Sequence, residues 1–291
     1  MMLIVATSAP TGAPAPSRTA LVTGASRGLG LAIVRELLRF EATSSMRVLL
    51  AARTPEAANG AAAALQHAGF TGVRGCTIDV SDARSVARFA REHDDIDLII
   101  NNAAICPTGW GRESTALCWR TNVVGPLLLS RALLPGMLRR RRGHVVHVSS
   151  GDGELVYLST ALQKEFQAAA SERDVLRVLA RASPPRDAFG RAPAHGPTPA
   201  YSTSKAALNV LTRVAAASLP PADACGVRVS AVCPGDVATR MLSTHEPEAM
   251  LRALPPATAA RDVVTLAFAG LEADTALPSG RFWRHGRELE F

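Results

Sequence analysis

A rhythm constrains this chain more than any single residue does. Six short apolar runs, Thr19 to Val22, Val48 to Ala51, Val73 to Ile78, Ile96 to Ile100, His144 to Val148 and Val227 to Val232, alternate with longer segments whose apolar residues recur at helical spacing. Near-continuous hydrophobic runs suit strands buried on both faces, whereas a sheet with one wet face alternates residue by residue. The intervening helices are expected at Leu29 to Phe40, Pro55 to His67, Ala83 to Glu92, Leu117 to Arg140, Ala200 to Leu219 and Arg261 to Leu271. Such alternation predicts an α/β architecture, a doubly wound parallel sheet covered by helices on both sides. No solenoid-type repeat competes with it.

Composition closes off other classes. With 291 residues, 47% hydrophobic and 20% charged, the chain can bury a large core and is too apolar to be disordered throughout. Residues 1–18, rich in Ala, Pro, Ser and Thr, read as a flexible tail, and residues 19–291 as one domain. No stretch approaches the ~18 uncharged apolar residues of a membrane span, and Leu3-Ile4-Val5 is too short for a secretory core. The expectation is an intracellular, cytoplasmic protein without a membrane partner. Cys76, Cys106, Cys118, Cys225 and Cys233 form no C-x-x-C pair, so neither a disulfide framework nor a zinc knuckle is predicted. His144 and His147, three apart on a strand, should face opposite sides, so no metal is expected. The net charge is +7, and the 32 basic residues are arginines apart from Lys164 and Lys205. The run Arg139 to Arg142 falls where a helix should end, which suits the negative end of its dipole. With no nucleic-acid-binding motif beside it, no nucleic-acid partner is predicted.

One segment breaks the rhythm. Roughly residues 152–199 separate the fifth strand from the helix near Ala200, far more than a tight connection needs. Leu155, Leu158, Leu162 and Phe166 recur at helical spacing, as do Val175, Leu176, Val178 and Leu179, before Pro184-Pro185 and Pro193 to Pro197 stop any helix. This predicts an inserted helical segment within the main fold.

Strand one runs directly into Thr23-Gly24-Ala25-Ser26-Arg27-Gly28-Leu29-Gly30 and then a helix. Glycines there permit a sharp turn and let a pyrophosphate approach backbone N–H groups at a positive helix end, as in Rossmann-type folds. The spacing departs from the general fingerprint, because Ile33 stands at its third glycine. Where an acidic residue would bind a ribose hydroxyl, strand two ends Ala51-Ala52-Arg53. Arg53 and Arg27 suit a 2′-phosphate instead, which favours NADP(H) over NAD. Asp79-Val80 and Asn101-Asn102-Ala103-Ala104 end strands three and four, where ligands bind in such sheets; an Asn there also serves as a turn cap. Gly24 to Gly28 matches a G-x-S-x-G nucleophile elbow too, but its place after the first strand leaves no preceding oxyanion loop.

Tyr201-Ser202-Thr203-Ser204-Lys205 opens an apolar helix and sets Tyr201 and Lys205 on one face. Of the two tyrosines only Tyr201 has a lysine four residues on. A phenol of reference pKa ~10 is a poor acid near neutrality, and an adjacent ammonium is expected to lower that value. Ser150 ends the fifth strand, where its hydroxyl would either bond a substrate carbonyl or cap a turn. Asn122 sits inside a helical stretch it does not favour, which suits a held water or a local bend.

The ordered set Thr23-Gly24 with Gly28 and Gly30, Asp79, Asn101 to Ala104, Asn122, Ser150, Tyr201-x-x-x-Lys205 and Pro234-Gly235 followed by Thr239 resembles the short-chain dehydrogenase/reductase family from about Thr19 to Phe291. The resemblance implies a catalytic tetrad of Asn122, Ser150, Tyr201 and Lys205. It also implies that Gly24, Ser26, Arg27, Gly28, Leu29, Gly30, Arg53, Asp79, Val80, Asn101, Ala103, Lys205, Pro234, Gly235 and Thr239 bind NADP(H). Ala104 departs from the family's usual glycine by one methyl. The wide gap between Ser150 and Tyr201, with Arg27, Arg53 and Gly280 to Trp283, is similar to monomeric carbonyl reductases. The insert would then cover the helix faces through which relatives pair, leaving a monomer. The resemblance implies reduction of a small-molecule ketone, aldehyde or quinone, with a non-catalytic NADPH-binding or sensor protein as the alternative. Substrate specificity is expected to lie in the insert and in Met241 to Leu254; for Trp110, Met241 and Leu242, lining an apolar pocket and packing in the core are equally open.

Overall fold

Every apolar run becomes a strand. In the computed structural model, which describes residues 18–40, 46–107, 112–182, 199–272 and 277–290, the strands are β1 (Arg18–Val22), β2 (Met46–Ala52), β3 (Val73–Thr77), β4 (Leu98–Asn101), β5 (Gly143–Val148) and β6 (Val227–Val232). A terminal hairpin, β7 (Arg281–Arg284) and β8 (Arg287–Leu289), completes one sheet of order β3-β2-β1-β4-β5-β6-β7-β8. All pairings are parallel except β7 with β8. Because β2 and β3 lie on one side of β1 and β4 on the other, the connections diverge between β1 and β4. That divergence opens a crevice at the carboxyl ends of the strands, the usual ligand position in such sheets.

Burial explains the pattern. Ala20 and Val22, Val48 and Leu50, Leu98 and Ile100, and Val146 and Val148 enter one core, while Leu21, Leu49, Ile99 and Val145 enter the opposite one. The period of two therefore places apolar residues on both sheet faces, as the continuous runs require. The first face is covered by α1 (Gly28–Phe40) and α11 (Pro256–Ala269), and α2 (Pro55–His67) flanks β2 and β3. The second is covered by α3 (Ala83–Glu92), α5 (Gly125–Arg140) and α8 (Pro199–Ala217). Helix starts follow the local chemistry: Thr54 and Asp82 cap α2 and α3 by accepting from Ala57 N and Arg84 N at 3.3 and 2.9 Å.

The predicted helix Leu117 to Arg140 is not continuous. It consists of α4 (Arg112–Trp119), a π-turn at Arg120–Val124 and α5, so Asn122 sits in the wider turn. The arginine run behaves as a helix terminus. Arg141 takes a left-handed φ of 50°, and Arg140 and Arg142 reach the buried carboxylate of Asp97 at 3.2 and 3.0 Å.

The insert forms α6 (Thr160–Ala168) and α7 (Glu172–Arg181), preceded by a 3-10 turn at Leu155–Tyr157. Ser159 caps α6, and Ser171 with Asp174 makes a capping box on α7. Leu155, Leu158, Leu162, Phe166, Val175, Val178 and Leu179 bury themselves against Val123 and Leu127, and against Ala206, Ala207, Val210, Leu211 and Val214 of α8. The spacing thus places two helices on the outer side of α5 and α8. The two proline clusters, Trp110 and the tail before Arg18 lie outside the described residues. Two short helices, α9 (Ala222–Cys225) and α10 (Arg240–His245), complete the chain. Among the described residues no helix is long and apolar enough to cross a membrane, and no cluster of three metal-ligating side chains occurs.

Candidate active site

Three loops meet at the β1/β4 crevice. Gly24 has a φ of 64°, in the left-handed region, and a Cβ there would lie 2.8 Å from Ala103 Cα. The glycine is needed for both conformation and close approach. Thr23 Oγ1 joins the same two loops by accepting from Asn102 N and Ala103 N at 3.1 and 3.0 Å, and Asn102 Nδ2 donates to Thr23 O at 2.8 Å. From the far end of the chain Thr239 comes to the edge of the loop, where a Cβ on Gly28 (φ 57°) would sit 3.5 Å from its Cγ2. Gly24, Gly28, Ala103 and Thr239 thus converge.

Asn101 and Asn102 divide the two roles open to them. Asn102 ties the turn, whereas the Asn101 amide is 3% exposed with neither Nδ2 nor Oδ1 partnered. A buried unpaired amide at a strand's carboxyl end is costly unless a ligand pairs it. Asp79 is partly committed, since its Oδ1 accepts from Ser81 N and Ser81 Oγ at 2.9 and 2.7 Å. Val80 is buried in the core with its carbonyl facing Gly125. Arg27 and Arg53 are exposed on the glycine loop and just beyond β2; Ser26, Leu29 and Gly235 are partly exposed, and Gly30 and Pro234 buried.

The second cluster gathers at the ends of β5 and α8. Lys205 is 2% exposed and donates from Nζ to Val148 O at 2.8 Å. Its Nζ stands 5.4 Å from the Tyr201 ring centroid, so the i, i+4 pair does meet. Burial lowers the Lys205 pKa to about 8. Tyr201 moves opposite to expectation. Its pKa is raised well above 10, first by burial and next by the Asp152 carboxylate, with Cys106 and Cys233 adding to this and a Ser150 hydrogen bond opposing it. Desolvation outweighs the ammonium, which is held by the Val148 carbonyl. Ser150 both caps and faces the site: it accepts from Asp152 N at 3.2 Å and donates to Asp152 Oδ2 at 3.2 Å.

Asn122, 1% exposed, clamps the strand-four loop. Its Oδ1 accepts from Ile105 N at 2.9 Å, and its Nδ2 donates to Ile105 O at 2.9 Å and Ser204 Oγ at 3.0 Å. Both amide protons are therefore spent on protein. The π-turn is the bend that an ill-favoured helix residue suggests. Sequence reasoning missed Asp152 and Thr23 as organisers of the site; Gly151-Asp152-Gly153 directly after Ser150 was the available signal for the first. His144 and His147 face opposite sides, bonding Ala267 O and Thr212 Oγ1 respectively, and burial lowers their pKa to about 4 and about 3.

Known proteins resemble this chain in sequence and in fold. The family model described as short chain dehydrogenase matches residues 18–162 and 191–249. Carbonyl reductase [NADPH] 1 of Sus scrofa is 31% identical over 289 residues, covering 94% of each chain. Salutaridine reductase from Papaver somniferum superposes with a TM-score of 0.73 at 23% identity, covering 91% of this chain and 99% of that one, which speaks for the fold. A metagenomic short-chain oxidoreductase in complex with NADP gives a TM-score of 0.63 at 26% identity, over 92% of this chain and 97% of that one. The chain belongs to the short-chain dehydrogenase family.

Proposed function

We propose that this chain reduces a small-molecule ketone, aldehyde or quinone to an alcohol with NADPH, acting as a monomer. The observation that carries the reading is the meeting of Lys205 with the Tyr201 ring, near Ser150 at the end of β5, with the unpaired Asn101 amide on the adjacent β4. The residues fit a dinucleotide: Gly24 and Gly28 keep the pyrophosphate path clear, and Asn101 offers a buried donor and acceptor. Arg27 and Arg53, exposed and positive, suit a 2′-phosphate, and the relatives named for NADPH or NADP support that choice.

Bound NADPH supplies the hydride. Tyr201 gives its proton to the substrate oxygen, and its raised pKa means that the phenol is protonated when needed. Ser150 polarises that oxygen by donating its hydroxyl proton, and Lys205 holds the cofactor's ribose while standing over the Tyr201 ring. Since Asn122 spends its amide protons on Ile105 and Ser204, its side chain supports the site by positioning the strand-four loop and does not itself donate to a water that restores the Tyr201 proton. Asn122 keeps the π-turn and the strand-four loop in register. The packing of α6 and α7 over α5 and α8 supports a monomer, because it covers the faces open to pairing. In the Tyr201→Phe protein, NADPH oxidation against a panel of quinones, aldehydes and cyclic ketones should vanish while NADPH binding, read by fluorescence, persists. Normal turnover in that variant overturns the acid role, and no turnover by the wild type across the panel favours a binding or sensor protein.

A further inference from the structure

Cys233, 2% exposed just beyond β6, is where three segments of the chain are pinned together. Its Sγ accepts from Arg284 Nε and Nη2 at 3.2 Å each, from Gly151 N at 3.2 Å and from Gly235 N at 3.4 Å. Gly151 follows Ser150 directly, Gly235 lies in the Pro234-Gly235 turn, and Arg284 ends β7. Gly151 and Arg284 stand 82 and 51 residues from the sulfur in sequence, so only the folded sheet brings them to it.

The sulfur takes over where backbone pairing stops. The parallel ladder of β5 and β6 runs out at Ser149 N, which donates to Val232 O at 2.7 Å, because Ser150 leads into a 3-10 turn at Gly151–Gly153. The Gly151 N–H beyond it goes to Cys233 Sγ instead of to a carbonyl. On the other side of β6, Cys233 N donates to Trp283 O at 2.8 Å, so the terminal hairpin is anchored at the same residue. Arg284 then crosses back over the end of β6, close enough that a Cβ on Gly151 would collide with its Nη2. A guanidinium fork ordinarily closes on a carboxylate or a phosphate; this one closes on sulfur. The hairpin reaches the turn a second time through His285, which lies against Gly235 and is bonded from Nδ1 to Asp262 Oδ2 at 2.5 Å.

We propose that Arg284 is a positioning residue: acting through Cys233, it fixes the Ser150 end of β5 against the Pro234-Gly235 turn and so sets the gap across which hydride passes. This rests on the proposed reduction, in which Ser150 meets the substrate oxygen and Pro234-Gly235 the cofactor. Arg284 itself transfers neither proton nor hydride. Misplacing reacting groups by about 1 Å can cost about a hundredfold, so such a node acts on the rate of transfer more than on binding.

The test is single-turnover oxidation of enzyme-bound NADPH by a quinone or aldehyde that the wild type reduces, followed by nicotinamide absorbance and normalised to the NADPH bound. In Arg284→Met the rate constant should fall about ten- to a hundredfold while NADPH still binds, since the glycine loop and Asn101 are untouched. Cys233→Ala should fall by a similar factor. In the double variant the two losses should not multiply, because both substitutions break the same contact. A purely structural role would lower the share of folded enzyme and leave the normalised rate constant unchanged. An unchanged constant in Arg284→Met, or a double variant whose loss is the product of the two single losses, overturns the proposal. Should Arg284→Met or Cys233→Ala fail to fold, Arg284→Gln and Cys233→Ser carry the same cycle with smaller changes, and the same two results overturn it. No turnover by the wild type across the carbonyl panel would sink the parent reading, whereas an active wild type beside an unslowed Arg284→Met sinks this inference alone.

Discussion

Two glycines of one loop allow a paired experiment in which each variant is the other's control. Gly24 and Gly28 both lie in the left-handed region, with φ of 64° and 57°. An alanine there costs about 1–2 kcal/mol in backbone strain, offset by about 0.4–1 kcal/mol because it restricts the unfolded chain. For Gly28→Ala little else is added, since the new methyl would meet Thr239 Cγ2 at an ordinary 3.5 Å. The net loss should be about 1 kcal/mol. For Gly24→Ala the methyl would lie 2.8 Å from Ala103 Cα and 3.3 Å from Ala103 N, so the backbone itself must shift. That shift pulls against two hydrogen bonds from Asn102 N and Ala103 N to Thr23 Oγ1, at 3.1 and 3.0 Å. At about 0.5–1.5 kcal/mol for each weakened bond, the total reaches about 3 kcal/mol. Urea unfolding of the ligand-free proteins measures the difference directly, provided the slope of the transition is unchanged. Equal losses, or a larger loss in Gly28→Ala, would refute the claim that the approach of Ala103 is what demands glycine at position 24.

Other consequences are equally open to measurement. Replacing the exposed Arg53 with Asp should lower kcat/KM for NADPH about ten- to a hundredfold and leave NADH unharmed or improved, because a phosphate partner becomes a repelling charge. Unchanged selectivity would remove Arg53 from the phosphate site. Phe166, fully buried in the insert, should cost about 3–5 kcal/mol when truncated to Ala, and light scattering should find the wild type monomeric. A stable dimer would mean that the insert does not block pairing. Burial holds the folded-state pKa of His144 at about 4 and of His147 at about 3, below the ordinary 6.5. The unfolded chain therefore binds more protons as pH falls through that window, and stability drops below about pH 6.5 while staying flat above it. Each histidine should contribute about 2 kcal/mol of loss by about pH 5, and urea melts of His147→Gln should show a shallower slope of stability against pH.

What was legible in the sequence depends on which interactions are local. Strands buried on both faces announce themselves by composition alone, so β1 to β6 were readable without knowing their partners. The terminal β7 was not, because Arg281-Phe282-Trp283-Arg284 buries Phe282 fully while its arginines stay at least partly exposed, and four residues give no clear period. A π-turn leaves a helical apolar pattern almost intact, so only the ill-favoured Asn122 hinted at it. The same distinction governs the site. That Lys205 would stand over Tyr201 is a property of one helix, and i, i+4 spacing delivers it. Whether the phenol then becomes more or less acidic is a sum over neighbours that arrive separately: Asp152 from beyond β5, Cys106 from beyond β4, Cys233 from β6, and the burial all of them create. The Val148 carbonyl, which holds the Lys205 amine, arrives from β5 as well. A motif read along the chain can therefore assign partners, while the sign of their electrostatics belongs to the tertiary fold and to residues the motif does not contain.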